Sequence, residues 1–455
     1  MKKSLLAVAA LTAFAGAAQA QSSVTVYGLV DIGVMGATNS PNLGGTTWGV
    51  SGTPYVSSTI KTNQTSGQAF GMMYGGEAQS RLGFKGSEEL GGGTQAIFNL
   101  EIGIGPNGSV ANTGIAGVTS GTGNITGGDS SLQGQLFGRA AFVGLSNATY
   151  GTLTAGRQNN LGTDNVPNYD PVNAQMFSPI NFSGSYGGGG YTDNSRVNGL
   201  KYVWKGFGGF NGNLLYAPGG VTGQSTANTN TGAQVGYEAA KWGVQAIAQH
   251  TTDAQSLAGA SATTSLTPAG TISGTTFTGT AATIVPANAV AVTVGNTTAY
   301  ILTANYKPTD SWKLLAGYER ENIGTPSNFS AVSGIPVTAS GYTVSSVTAY
   351  NANKSLNVFW VGTQYMFTPA IKGSLAYYNA TTLGYQAATP TATAAGGTKS
   401  QYFSALADYM LSKRTNLYTG VMFNNNSAGN GYAPVTGANL TTTSVTYGLG
   451  MKHIF

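Results

Sequence analysis

The chain ends VTYGLGMKHIF, residues 445–455, and this stretch alternates to its last residue. Val445, Tyr447, Leu449, Met451, His453 and Phe455 share one face of an extended strand, while Ser444, Thr446, Gly448, Gly450 and Lys452 share the other. One face suits lipid and the other suits water, as in a transmembrane β-strand. A terminal Phe that closes a two-residue period is the ending of an outer-membrane β-barrel. Tyr447, Leu449, Met451, His453 and Phe455 therefore read as an assembly signal for the barrel-assembly machinery.

The opposite end agrees. Lys2 and Lys3 precede an apolar stretch from Leu5 to Ala15 and the small-residue site Ala18-Gln19-Ala20, the pattern of a cleaved secretory signal over residues 1–20. Residues 21–455 then form one domain. Without the two leader lysines, 18 Lys+Arg stand against 15 Asp+Glu, a net charge of +3 and too little for a nucleic-acid footprint. Zero cysteines exclude disulfides and thiolate metal sites. Charged residues are only 8%, against roughly 25% in ordinary soluble domains. No apolar run of helical-span length follows the leader, so the membrane is crossed by strands.

Period-two reading with turn signals gives sixteen strand candidates, predicting an all-β, 16-stranded antiparallel transmembrane barrel with short periplasmic turns and long external loops. The first runs near Val24 to Met35, with Asp31 facing inward. The hairpin Gln79 to Gly86 and Thr94 to Ile104 places Leu82, Phe84, Phe98, Leu100 and Ile102 outward, and Arg81, Lys85, Asn99 and Glu101 inward. Further pairs follow at Phe137 to Leu145 with Thr152 to Arg157, Val197 to Lys205 with Phe210 to Tyr216, and Thr231 to Ala239 with Trp242 to Gln249. Thr298 to Tyr306 pairs with Trp312 to Glu319, Leu356 to Phe367 with Ile371 to Asn379, and Gln401 to Leu411 with Asn416 to Asn424. Short connections lie near Glu89, Asn147, Gly208, Ala240, Pro308, Pro369 and Lys413; the Ser256 to Val294 stretch reads as a long external loop. A β-solenoid adhesin would need a fixed repeat, and none is found.

Charges on a lipid face cost about 2–4 kcal/mol at the bilayer centre, which turns Arg81, Lys85, Arg139 and Lys201 into the lumen. With Arg139 inside, strand alternation sets Gly138, Ala140, Phe142 and Gly144 outward as a close-packing subunit contact. Several segments, SSVTVYGLVDIGV, SRLGFKGSEELGGGTQAIFNLE, LFGRAAFVGL, YGTLTAGRQ, NSRVNGLKY, ALADYMLSKRTNLY and GLGMKHIF, together resemble the betaproteobacterial, neisserial-type general porins of Gram-negative bacteria. The resemblance implies a homotrimer in the cell outer membrane, in contact with lipid and lipopolysaccharide, passing ions and small hydrophilic solutes passively and without cofactor. It implies a third loop, Gln158 to Ser195, folded inward to a constriction and bearing Asp164, Asp170 and Asp193. It further implies a basic wall of Arg81, Arg139, Arg157 and Arg196 facing that loop, to which strand phase adds Lys85 and Lys201, with Asp31 and Glu101 as lumen acids by the same alternation. Such a wall favours anions, and the sparse charge content keeps that bias weak. A substrate-specific channel and an adhesin-like surface protein are the alternatives.

Other signals point elsewhere only weakly. Gly103-x-Gly105-x-x-Gly108 lacks the helix of a dinucleotide site. His250 and His453 specify no catalytic arrangement, so no enzyme is expected. Asp164, Asn165, Asn168 and Asp170 match no EF-hand spacing, and no metal is expected.

Overall fold

A computed structural model describes residues 23–41, 66–104, 124–126, 136–181, 196–220, 225–259, 270–273, 276–279, 289–327, 343–349, 353–383, 385–386, 394–395, 398–427 and 443–455. The leader, Asp193, Gly105 and Gly108 lie outside the described residues. In hydrocarbon every backbone N–H and C=O needs an internal partner, so a sheet that crosses a membrane must close on itself. Here it does. The strand Thr443–Ile454 pairs along Thr415–Asn425 of the preceding strand on one edge and with the first strand, Ser23–Pro41, on the other, in a register running from Leu29↔Ile454 to Thr38↔Val445. Nineteen segments share one sheet. Two of them, Asn124–Thr126 and Thr343–Ala349, are additions beyond the ring, and two more, Ser66–Tyr74 and Arg81–Gly91, are halves of one broken strand. Sixteen antiparallel barrel strands remain.

The alternation places side chains as the closing strand requires. Tyr447, Leu449, Met451 and Phe455 are 45–59% exposed on the outside, whereas Thr446 is buried within. Elsewhere the outer face holds an aliphatic band between aromatic rows. Tyr300 and Tyr306, Trp312 and Tyr318, and Phe359 and Tyr365 bracket it on three strands, each pair spanning about 20 Å of strand.

Three expectations change. The second strand starts earlier than Gln79: Ser66–Tyr74 pairs with the outer half of the first strand, then the chain leaves the ladder at Gly75 (φ 71°) and rejoins it at Arg81. Strands Trp242–Gly259 and Ala289–Thr309 extend well into the segment read as external loop, because above the membrane Ala, Ser and Thr no longer mark two faces. The third change is one of phase. On Ala140–Asn147, Val143 and Leu145 face out at 63% and 51% exposure, and Ala140, Phe142 and Gly144 share the face of the inward Asn99 and Glu101. The outward contact assigned to Gly138, Ala140, Phe142 and Gly144 is therefore overturned. Arg139 precedes the regular strand, and the irregular turn after Phe137 (φ 56°) swings its side chain inward out of phase.

This phase is directly testable. Val143→Arg is expected to lower the unfolding free energy of the barrel in lipid vesicles by about 2–4 kcal/mol. A urea titration showing no loss would return Val143 to the lumen.

Candidate functional site

The strand Gly151–Asn159 delivers the chain into the lumen at Asn160, which caps helix α1, Leu161–Tyr169, by accepting a hydrogen bond from the Thr163 N–H (2.7 Å). The helix and the segment after it run along the inner wall. Leu161 N donates to Gln249 Oε1, Thr303 Oγ1 donates to Asn165 Oδ1 at 2.9 Å, and Lys313 Nζ donates to the Asn168 carbonyl. Beyond the helix, Trp360 Nε1 donates to the Tyr169 carbonyl at 3.0 Å, Gln364 Nε2 to the Pro171 carbonyl, and Ser404 Oγ to the Phe177 carbonyl at 2.6 Å. Met176 N finally reaches the Gly76 carbonyl at the break in the second strand.

Under this loop the inner wall is apolar. Leu161, Val166, Met176, Phe177 and Ile180 pack with the inward Ile247, Ile301, Val358, Trp360 and Met422 in one apolar cluster. Fully burying each such side chain contributes about 1.5–3 kcal/mol. Phe177 lies against Gly420, where an added Cβ would come within 2.6 Å of its ring. The inward apolar positions of these strands were missed in the sequence, where they read as noise in the alternation.

Across the lumen stand the basic residues. Glu101 binds Arg139 Nε at 2.5 Å and Arg81 Nε at 3.8 Å, and accepts a hydrogen bond from Tyr27 OH at 2.9 Å. Arg139 also donates to Gln79 Oε1. Lys85 lies 5.2 Å from the centre of the Tyr27 ring and is exposed. Lys201 Nζ reaches Asp164 Oδ2 at 2.6 Å, tying the wall to the start of α1. Arg157 and Arg196 stand apart from this group. In register they share the face of Ala141, Asn198 and the outward Leu200, and their Nε atoms donate to the carbonyls of Gly138 and Arg139.

Two of the acids assigned to the lumen are structural. Asp31 is wholly buried and accepts hydrogen bonds from Glu77 N and Ala78 N, both 2.8 Å, and from Tyr418 OH, sealing the strand break. Asp170 is buried inside the loop, where Val172 N, Ser178 Oγ and Tyr378 OH donate to it. Burial pushes its carboxyl up from the ordinary value, and those hydrogen bonds pull against the rise. Lys452 faces in as expected but binds Glu77 at 2.6 Å. Of the remaining candidates, His250 sits on the outer side with Nδ1 2.8 Å from Thr298 Oγ1, and His453 Nδ1 lies 2.8 Å from Thr415 Oγ1.

Residues 7–335 match the family described as Gram-negative porin. The chain belongs to that family. Among curated proteins, this porin is 38% identical over 174 residues to an outer membrane porin protein of Bordetella pertussis, covering 38% of each chain. It is 32% identical over 220 residues to outer membrane porin protein 32 of Delftia acidovorans, covering 48% of this chain and 50% of that one. The matches thus span about half or less of these relatives. Its fold resembles the anion-selective porin from Comamonas acidovorans (TM-score 0.60, 19% identity, 96% of this chain and 100% of that one). It also resembles the DcaP channel of Acinetobacter baumannii (TM-score 0.51, 14% identity, 96% and 98% covered). The porin is accordingly an outer-membrane β-barrel.

The loop anchors are open to test. Tyr378→Phe removes one donor from the buried Asp170 and should cost about 1–3 kcal/mol, read as a lower Tm together with noisier open-channel current. Unchanged Tm and unchanged noise would mean the loop is held by other contacts.

Proposed function

We propose that this porin is a general diffusion channel for ions and small hydrophilic solutes, weakly selective for anions. The observation that carries this reading is the division of the lumen. The loop occupies the wall formed by strands between residues 230 and 427, and the wall facing it gathers Arg81, Lys85 and Arg139 with the Glu101 carboxylate. Three cations less one anion leave a surplus of two positive charges, while Lys201 and Asp164 offset each other. Charge beside a narrow opening in a low-dielectric wall biases which ions enter. The anion selectivity named for the Comamonas acidovorans porin agrees in sign.

The lipid face also supports a trimer, with a contact different from the one first assigned. The four strands Arg81–Gly91, Thr94–Gly103, Ala140–Asn147 and Gly151–Asn159 contain no Tyr or Trp, whereas the outer face of later strands carries both. Aromatic girdles mark contact with headgroups, so a face without them fits a protein neighbour. It carries an apolar hollow of about 510 Å³, lined by Phe98, Val143, Leu145, Leu153 and Leu200. The remaining outer face meets lipid and lipopolysaccharide after delivery by the assembly machinery.

Single-channel reversal potentials in a salt gradient test the channel. The sign should favour chloride, Arg81→Gln with Lys85→Gln should shift the permeability ratio toward cations by about twofold or more, and Glu101→Gln should shift it the other way. A cation preference in the unaltered protein would remove the electrostatic reading, and saturation by one solute would replace general diffusion by a specific channel. For the trimer, Leu145→Arg should convert SDS-resistant oligomers to monomers on unheated gels.

A further inference from the structure

The basic residues of the short turns are confined to one arc of the barrel. Lys205, Lys241, Lys307, Lys413 and Arg414 all lie at or beside turns following the strand Arg196–Trp204, all are exposed, and the acids at or beside the same turns are two, Asp310 and the inward Glu238. The two turns of the other arc differ. One follows Glu88 and Glu89, and the other, residues 148–150, has no charge. Backbone hydrogen bonds link neighbouring turns of the basic arc, Glu238 N to Gly209 O at 2.8 Å and Lys307 N to Lys241 O at 2.7 Å, so its charges ride on a continuous rim.

A second segregation coincides with the first. Outward rings stand directly above these turns: Phe210, Tyr237 and Trp242 form a chain with centroids 4.9 and 5.1 Å apart, and Tyr365 packs on Phe367 at 5.1 Å. Tyr306 and Trp312, both exposed, flank the turn that carries Lys307. The four strands without Tyr or Trp end in the two turns without Lys or Arg.

We propose that this basic and aromatic arc binds anionic phospholipid headgroups in the periplasmic leaflet of the outer membrane. The partner must be an amphiphile. Its acyl chains lie along the aliphatic outer band, its glycerol region meets the rings, and its phosphate meets lysine ammoniums that extend past them. A cell-wall polymer would satisfy the charges and leave the aligned rings without a role. The inference concerns the outside of the barrel and is independent of what passes through the lumen.

The test uses the full porin reconstituted in vesicles of phosphatidylethanolamine with a minority of phosphatidylglycerol, followed by gentle extraction and quantification of the lipids that stay bound. Phosphatidylglycerol should be enriched about fivefold over the bilayer in the retained lipid. The variant Lys205→Gln, Lys241→Gln, Lys307→Gln, Lys413→Gln, Arg414→Gln should retain lipid at bilayer composition. Heat-modifiable gel migration reports its folding, and if it fails to fold, Lys413→Gln with Arg414→Gln should still lose part of the enrichment. Retained lipid at bulk composition in the unaltered porin would overturn the proposal, as would enrichment unchanged in a folded variant. Co-sedimentation with purified peptidoglycan that depends on these residues, without lipid enrichment, would assign the arc to the cell wall instead.

Discussion

Everything in this porin depends on the closing of its sheet. Backbone groups inside hydrocarbon find no water, and the pairing of Thr443–Ile454 with Ser23–Pro41 removes the last two free edges. The one place where the wall leaves its ladder shows how strict the requirement is. Between Gly75 and Ser80 the second strand is broken, and the freed N–H groups are taken up by Asp31, through its carboxylate at Glu77 and Ala78 and its carbonyl at Gly75. A buried carboxylate is costly unless it is saturated with donors, and here two backbone N–H groups and the Tyr418 hydroxyl saturate it.

The same break receives Met176 of the inward loop. Because Met176 binds the Gly76 carbonyl and Phe177 nests at Gly420, the described part of the loop, through residue 181, is held along its length against the wall. Its packing gives the barrel an apolar core inside the lumen. The polar side is left to Arg81, Lys85, Arg139 and Glu101, where charge pairing trims the field without cancelling it.

Outside, the barrel has two characters. On the four strands between Arg81 and Asn159 the described lipid-facing residues include no Tyr or Trp, Tyr150 being the exposed ring of their turns, and neither turn is basic. From Arg196 onward rings and lysines recur together at the turn end. A single chain thus separates the surface suited to another subunit from the surface suited to a membrane interface, and it does so by choice of residue at equivalent positions of the pleat.

The alternation of residues 445–455, repeated along the chain, determined the barrel, its strand number and the side of most charges, because burial on one face of a strand acts on every second residue and is written locally. Arg81, Lys85, Glu101 and Lys201 were legible for that reason. What lay beyond was decided where alternation fails. Arg139 enters the lumen through an irregular turn, so its phase could not predict that of Val143. Asp31 and Asp170 read as lumen acids, yet each is closed off by a tyrosine donor, Tyr418 and Tyr378, hundreds of residues away. The helix Leu161–Tyr169 contains Pro167 and little periodic signal, and it is held by an inner wall that exists only once the sheet has closed. Tertiary structure decided these because partners such as Tyr418, Tyr378 and the inner wall reach them only when the sheet closes.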